Sequence, residues 1–279
     1  MRIMRPEPTP APTGVQEWQR AVDLGAQGRA AAARRVLSTL TADPAVSPSV
    51  ASLAHSTRAS LLRQAGGHGP ARVGDGRACL LAVGATRTCS GADGAADAGW
   101  LSAAWLDGLV GLAADNLGLG DFAASRRLLD RAAEHAAACA ALDSADWRTA
   151  ARTRLRLSWV RSEWGLYSGD LDTARAAAAA SAELVDAVPS DRHRIKTDLI
   201  GAAVAAASGE TEAAVAAGRG VFERAAAGGL LPLQWAAAAL LSGVDSAAEY
   251  ASDVVFLRDR LARRGMPLAP LSPLERHGR

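Results

Sequence analysis

The side chains that could do chemistry are few, and their spacing argues against catalysis. The histidines are His55, His68, His135, His193 and His277. No two of them stand in an HExxH pair, the spacing that puts two imidazoles one helical turn apart for a metal. The cysteines are Cys79, Cys89 and Cys139, an odd number without a CxxC pair. That pattern points away from a disulfide framework or a zinc site and toward reduced thiols in the cytoplasm. The run QAGGHGPARVGDG, residues 64–76, is glycine-rich enough to suggest a phosphate loop. No strand precedes it, so a turn between helices explains Gly66, Gly67 and Gly69. Neither GxxxxGK[ST] nor GxSxG occurs. Glu163 has Arg161 and Arg156 within helical reach, which reads as an ion pair rather than an acid–base pair. No catalytic residue, metal or cofactor is therefore expected.

Charge narrows the partners. The chain of 279 residues has 31 Lys and Arg against 29 Asp and Glu, a formal charge of +2. That balance provides no broad field for nucleic acid. The basic segment Arg152, Arg154, Arg156 has i, i+2 spacing, which spreads its members around a helix and reads as solvated surface. No apolar run reaches the length of a membrane span. The start, MRIMRPEPTPAPTG, lacks the apolar core of a signal peptide and reads as a disordered proline-rich tail over 1–14. The three prolines of MPLAPLSPLERHGR make 264–279 a tail or loose cap.

The elements that position these residues are helices. Alanine is abundant, β-branched residues are sparse and aromatics make up 4% of the chain. Alanine is the best helix former and its short side chain lets axes approach closely. Each contact then buries little area, which suits a stack of helices with many modest contacts. One element recurs: a helical run, a glycine, then a new helix. The glycines are Gly28, Gly66, Gly120, Gly169, Gly209 and Gly243. Seven residues earlier stand Ala21, Ala59, Ala113, Ser162, Ala202 and Ala236; five residues later stand Ala33, Ala71, Ser125, Ala174, Ala214 and Ala248. Glycine ends the first helix of each pair, and Asp121 and Asp170 suit the start of the second. Phe122 and Leu171 can wedge into their hairpins. The segment 84–99 is the best candidate for a long loop, and Asp191 for the cap of a helix beginning near Arg192.

On these glycines and small residues the chain resembles the tetratricopeptide repeat family, over about residues 15–263 and most strongly from 100 to 218. Ala78, Ala132 and Ser181 match a further small position. The glycine spacings, 38, 54, 49, 40 and 34, depart from a regular 34. The family's aromatic position is filled by Leu24, Leu62, Asn116, Gly165, Ala205 and Ala239. The resemblance implies an all-α fold, a right-handed superhelical array of about six antiparallel helix hairpins. It also implies that the first helices line a concave groove. Carried over, that groove shows Arg63 and Gln64 from the second repeat and Asp107, Val110 and Ala114 from the third. The fourth gives Arg156, Trp159, Glu163, Leu166 and Tyr167, and the fifth Lys196 and Leu199. Trp18 and Trp235 are expected to seal opposite ends.

The mixed groove suits a protein or peptide ligand, so a non-catalytic scaffold or adaptor is the leading expectation. The alternative is a module that senses a small molecule or peptide and acts on transcription through a partner protein. An internal pocket near Trp159 and Tyr167 would favour the sensor; an open concave face would favour the adaptor. Self-association through exposed end faces is a further expectation.

Overall fold

The computed structural model describes residues 11–88, 92–139, 146–244 and 249–269. Among them the chain is all helical, with α1 (Val15–Ala26), α2 (Ala30–Ala42), α3 (Pro48–Gln64), α4 (His68–Thr88), α5 (Ala92–Gly118) and α6 (Phe122–Ala138) in the first half. The second half holds α7 (Ala151–Ser168), α8 (Leu171–Leu184), α9 (Asp191–Ala207), α10 (Thr211–Ala227), α11 (Leu231–Val244) and α12 (Glu249–Arg263). A 3₁₀ turn, Val185–Ala187, extends α8. Most of the proline-rich start, and the chain beyond residue 269, lie outside the described residues.

Five of the recurring glycines do what the pattern requires. Gly28, Gly66, Gly120, Gly169 and Gly209 have φ between 73° and 86°, the left-handed conformation that ends a helix without a Cβ penalty. Gly243 does not: it lies inside α11, and the turn after that helix falls on residues outside the description. Asp121 and Asp170 cap the following helices, accepting from the backbone N–H of Ala124 at 2.9 Å and of Thr173 at 3.0 Å. Asp191 is the first residue of α9 rather than its cap; Ser190 precedes it. The loop expected over 84–99 is mostly helix, because α4 runs to Thr88 and α5 starts at Ala92. The alanines on either side of residues 89–91 favour helix, and the long spacing is absorbed by helices of 21 and 27 residues.

The small columns lie in the seams of the hairpins. Ala21, Ala33, Ala71, Ala113, Ser125, Ser162, Ala174 and Ala214 are wholly buried. Gly165 shows how close the seam is. A Cβ built there would stand 2.5 Å from the Ala174 nitrogen and 2.8 Å from the Asp170 carbonyl oxygen, both backbone atoms that cannot step aside. Gly165→Ala must therefore part α7 from α8, and it should cost about 1–3 kcal/mol in urea unfolding. Gly201→Ala, in α9 where a Cβ meets nothing within 4 Å, should be neutral or stabilising. Equal effects at the two sites would show that the seam does not govern Gly165.

Each helix packs on its chain neighbours, and the odd-numbered helices also contact one another in order from α1 to α11. The series then closes, because α11 packs against α1. The segment after α12 fastens this closure. The Ala31 N–H donates to the Arg264 carbonyl at 3.0 Å, the Ala269 N–H donates to the Ala65 carbonyl at 2.9 Å, and Met266 is buried among Leu37, Leu231 and Leu261. Of the tail or cap expected over 264–279, residues 264–269 pack on the first two hairpins as a cap does.

Candidate functional site

The odd-numbered helices enclose a cavity of about 510 Å³, and all six of them contribute to its lining. Most of the residues expected in a groove meet here. Arg63 and Gln64 come from α3, Asp107 and Ala114 from α5, and Lys196 and Leu199 from α9. Arg156, Trp159, Glu163 and Tyr167 come from α7. Two residues do not reach the opening. Val110 is 1% exposed and packs with Val160 and Trp164 in the seam between α5 and α7, where its short side chain ends. Leu166 is partly buried and off the lining. Trp18 and Trp235 do not seal opposite ends; ring closure brings both to this one cavity.

The charged lining is built from paired groups. Asp107 accepts from Arg152 Nη2 at 2.7 Å and from Arg156 Nη1. Burial alone would raise its carboxyl, but the two guanidiniums outweigh burial and hold it below the usual carboxylate range. A second cluster stands behind the wall. Arg63 donates through Nε to Asp115 at 2.7 Å and through Nη2 to Asp75. One guanidinium thus serves two carboxylates that are both out of solvent. Burial, reinforced by Asp115 and opposed by Arg63, pushes the Asp75 carboxyl up to about 7. Gly111 makes room for this carboxylate, since any Cβ there would collide with it. Glu163 pairs with neither expected arginine: Lys196 Nζ donates to it at 2.7 Å across the α7–α9 interface, while Arg161 pairs with Asp130.

The aromatic lining is held by polar handles. Trp18 Nε1 donates to Thr57 at 2.9 Å and Trp159 Nε1 to Thr197 at 3.0 Å. Trp159 stacks on His193 with ring centres 5.6 Å apart, and Trp147 meets the same imidazole edge-on at 5.7 Å. Burial first, then Arg192, Arg152 and Arg156, push His193 down to about 2. It is a neutral imidazole at any ordinary pH, with Nδ1 2.8 Å from the Ser190 hydroxyl. Such a ring can pack and accept a hydrogen bond but is a poor general acid or base.

Among the lining residues outside the expected set are Arg152, Arg192, His193 and Trp235. The signal for Arg152 was present, because Arg152 and Arg156 are one turn apart on one face while Arg154 points elsewhere. Arg152 is 6% exposed, so its guanidinium belongs to the interior and not to a solvated surface.

Among the described residues no group of His, Cys, Asp and Glu is placed to hold a metal ion, and no helix is long and apolar enough to cross a membrane. Comparison with protein-family models, with characterised proteins and with solved structures gives no match to this chain.

Proposed function

We propose that this chain is a cytoplasmic ligand-sensing module, without chemistry of its own, that acts through a partner protein. Its hairpins are read as degenerate tetratricopeptide-type repeats, wound right-handed until first and last meet. The observation that carries this reading is the cavity. Its volume falls within the range of small-molecule sites, and its walls combine apolar rings with a few fixed charges. A continuous open groove for an extended chain would require free ends, whereas α1 and α11 are in contact. The partner half of the proposal rests on α4. Val73 and Leu80, seven residues apart on one face of this helix, are 75% and 76% exposed. An apolar stripe of that kind is a surface another protein can cover.

Two dyes that differ by one sulfonate group test the cavity reading on the full chain: 1-anilinonaphthalene-8-sulfonate and its uncharged parent, N-phenyl-1-naphthylamine. At least one should bind with one-to-one stoichiometry and quench tryptophan emission. Ser60→Trp, which puts an indole into the opening from α3, should abolish that binding. Saturable binding by neither dye, or binding indifferent to Ser60→Trp, removes the reading.

A further inference from the structure

The cavity's charges do not balance locally. On the α7–α9 side three guanidiniums, Arg152, Arg156 and Arg192, face one buried carboxylate, Asp107, and that carboxylate is already taken by the first two. Arg192 forms no ion pair among the described residues. Its polar contact is a long one, 3.5 Å from Nη2 to His193 Nε2. Two carboxylates are paired elsewhere, Asp146 in a two-pronged contact with Arg148 and Glu163 with Lys196, while the exposed Asp23 accepts from the neutral Gln19 amide and attracts Arg192 without an ion pair. Loss of solvent, followed by repulsion from Arg152 and Arg156, outweighs the attraction of Asp23 and lowers the Arg192 guanidinium to about 10, so it stays charged at neutral pH. A partly buried cation set beside two others carries a repulsion that the exposed Asp23 carboxylate offsets only in part. A second group is similarly unanswered. Trp235 Nε1, in the wall contributed by α11, is a buried donor without an acceptor. Trp235 Nε1 is itself shut off from the opening, so Arg192 is the donor that lacks an acceptor-rich, negatively charged occupant.

We infer that the cavity takes a small organic anion, whose charged group is held by Arg192 with Arg152 and Arg156 alongside, and whose apolar body lies against Trp18, Trp159 and Trp235. This rests on the cavity reading above and adds the ligand's chemical class. A planar fork of N–H donors suits a carboxylate or a phosphate, and the water-poor surroundings strengthen each charge-assisted bond. The indole faces and the leucines of α11 and α3 favour a flat or aliphatic body over a sugar.

The same two dyes separate this inference from its premise. The wild-type chain should bind the sulfonate at least about tenfold more tightly than the uncharged parent, as expected when one charge-assisted contact is gained. Arg192→Gln should remove that preference and leave binding of the neutral dye unchanged, while Arg192→Lys keeps part of it. Arg192→Gln should also melt at a higher temperature without ligand, because it relieves repulsion. That outcome shows the variant folded. Displacement by 1-naphthoate or by 1-naphthyl phosphate, whichever acts at lower concentration, tells a carboxylate headgroup from a phosphate. Equal affinity for the two dyes, or a sulfonate preference that survives in Arg192→Gln, overturns the anion while the cavity stands. Binding of neither dye overturns both.

Discussion

Replacing Asp107 with alanine should lower the free energy of unfolding by about 3–5 kcal/mol, the range for breaking a buried ion cluster from one side. Asp107 is 3% exposed and is the shared acceptor of Arg152 and Arg156. Its loss would leave two guanidiniums facing each other with Arg192 beyond them. The effect reaches past α5 and α7, because the Arg152 guanidinium lies over the Trp18 ring, 5.4 Å from its centre, and Trp18 meets Trp100 edge-on. The cluster therefore ties α7 to the first hairpin. Two controls give the result its meaning. Glu163→Gln breaks a pair whose members are each 30% exposed, and should cost less than about 1 kcal/mol. Changing Asp107, Arg152 and Arg156 together to Leu, Met and Met should recover most of the loss, since an apolar cluster carries no desolvation penalty. Urea unfolding followed by circular dichroism measures all three. A loss at Asp107→Ala no larger than at Glu163→Gln would mean that water reaches the cluster and the interior is not dry.

The local pattern carried the hairpins, because a left-handed glycine and two small residues at fixed offsets are each demanded by one close contact. Gly169 with Ser162 and Ala174 is a case in point: the Ser162 hydroxyl donates to the Ala174 carbonyl at 3.0 Å, a distance that larger side chains would not permit. The pattern failed at Gly243 because a glycine in an alanine-rich run is tolerated inside a helix at modest cost. Most of the groove positions were legible for a related reason, since a helix that packs on two neighbours leaves one stripe free and side-chain spacing identifies it. Closure was not legible. It depends on contacts between α1 and α11, far apart in the chain, and no short window encodes them. The contact between the Arg264 guanidinium and the Gln27 carbonyl, at 3.0 Å across 237 positions, is its consequence. Arg192 was invisible for the same reason, because its meaning comes from two arginines on another helix.

The pH dependence of stability offers a sharper view of the interior, because His193 and Asp75 act with opposite sign. His193 titrates near 6.5 when unfolded and near 2 when folded. Below pH 6.5 the unfolded state binds the extra proton, so this group removes stability as the pH falls. Asp75 titrates at 3.8 when unfolded and about 7 when folded. Between those values the folded state binds the extra proton, so this group adds stability as the pH falls from 7 toward 4. Asp75 shares the Arg63 guanidinium with Asp115, and His68 Nδ1 lies 3.8 Å from Asp115. Each contribution has a limiting slope of about 1.4 kcal/mol per pH unit. His55 and His135, both lowered chiefly by burial, and Asp97, raised chiefly by burial, also contribute to the wild-type curve. Differences between variant and wild type remove them. His193→Gln should gain stability relative to wild type as the pH falls from 6.5 to 4.5, and Asp75→Asn should lose it over the same interval. Urea midpoints at half-unit pH steps would give both curves. Parallel curves for His193→Gln and wild type would mean that the imidazole is protonated in the fold, which would place a counter-charge beside Arg192 and undo the case for an anion at that site.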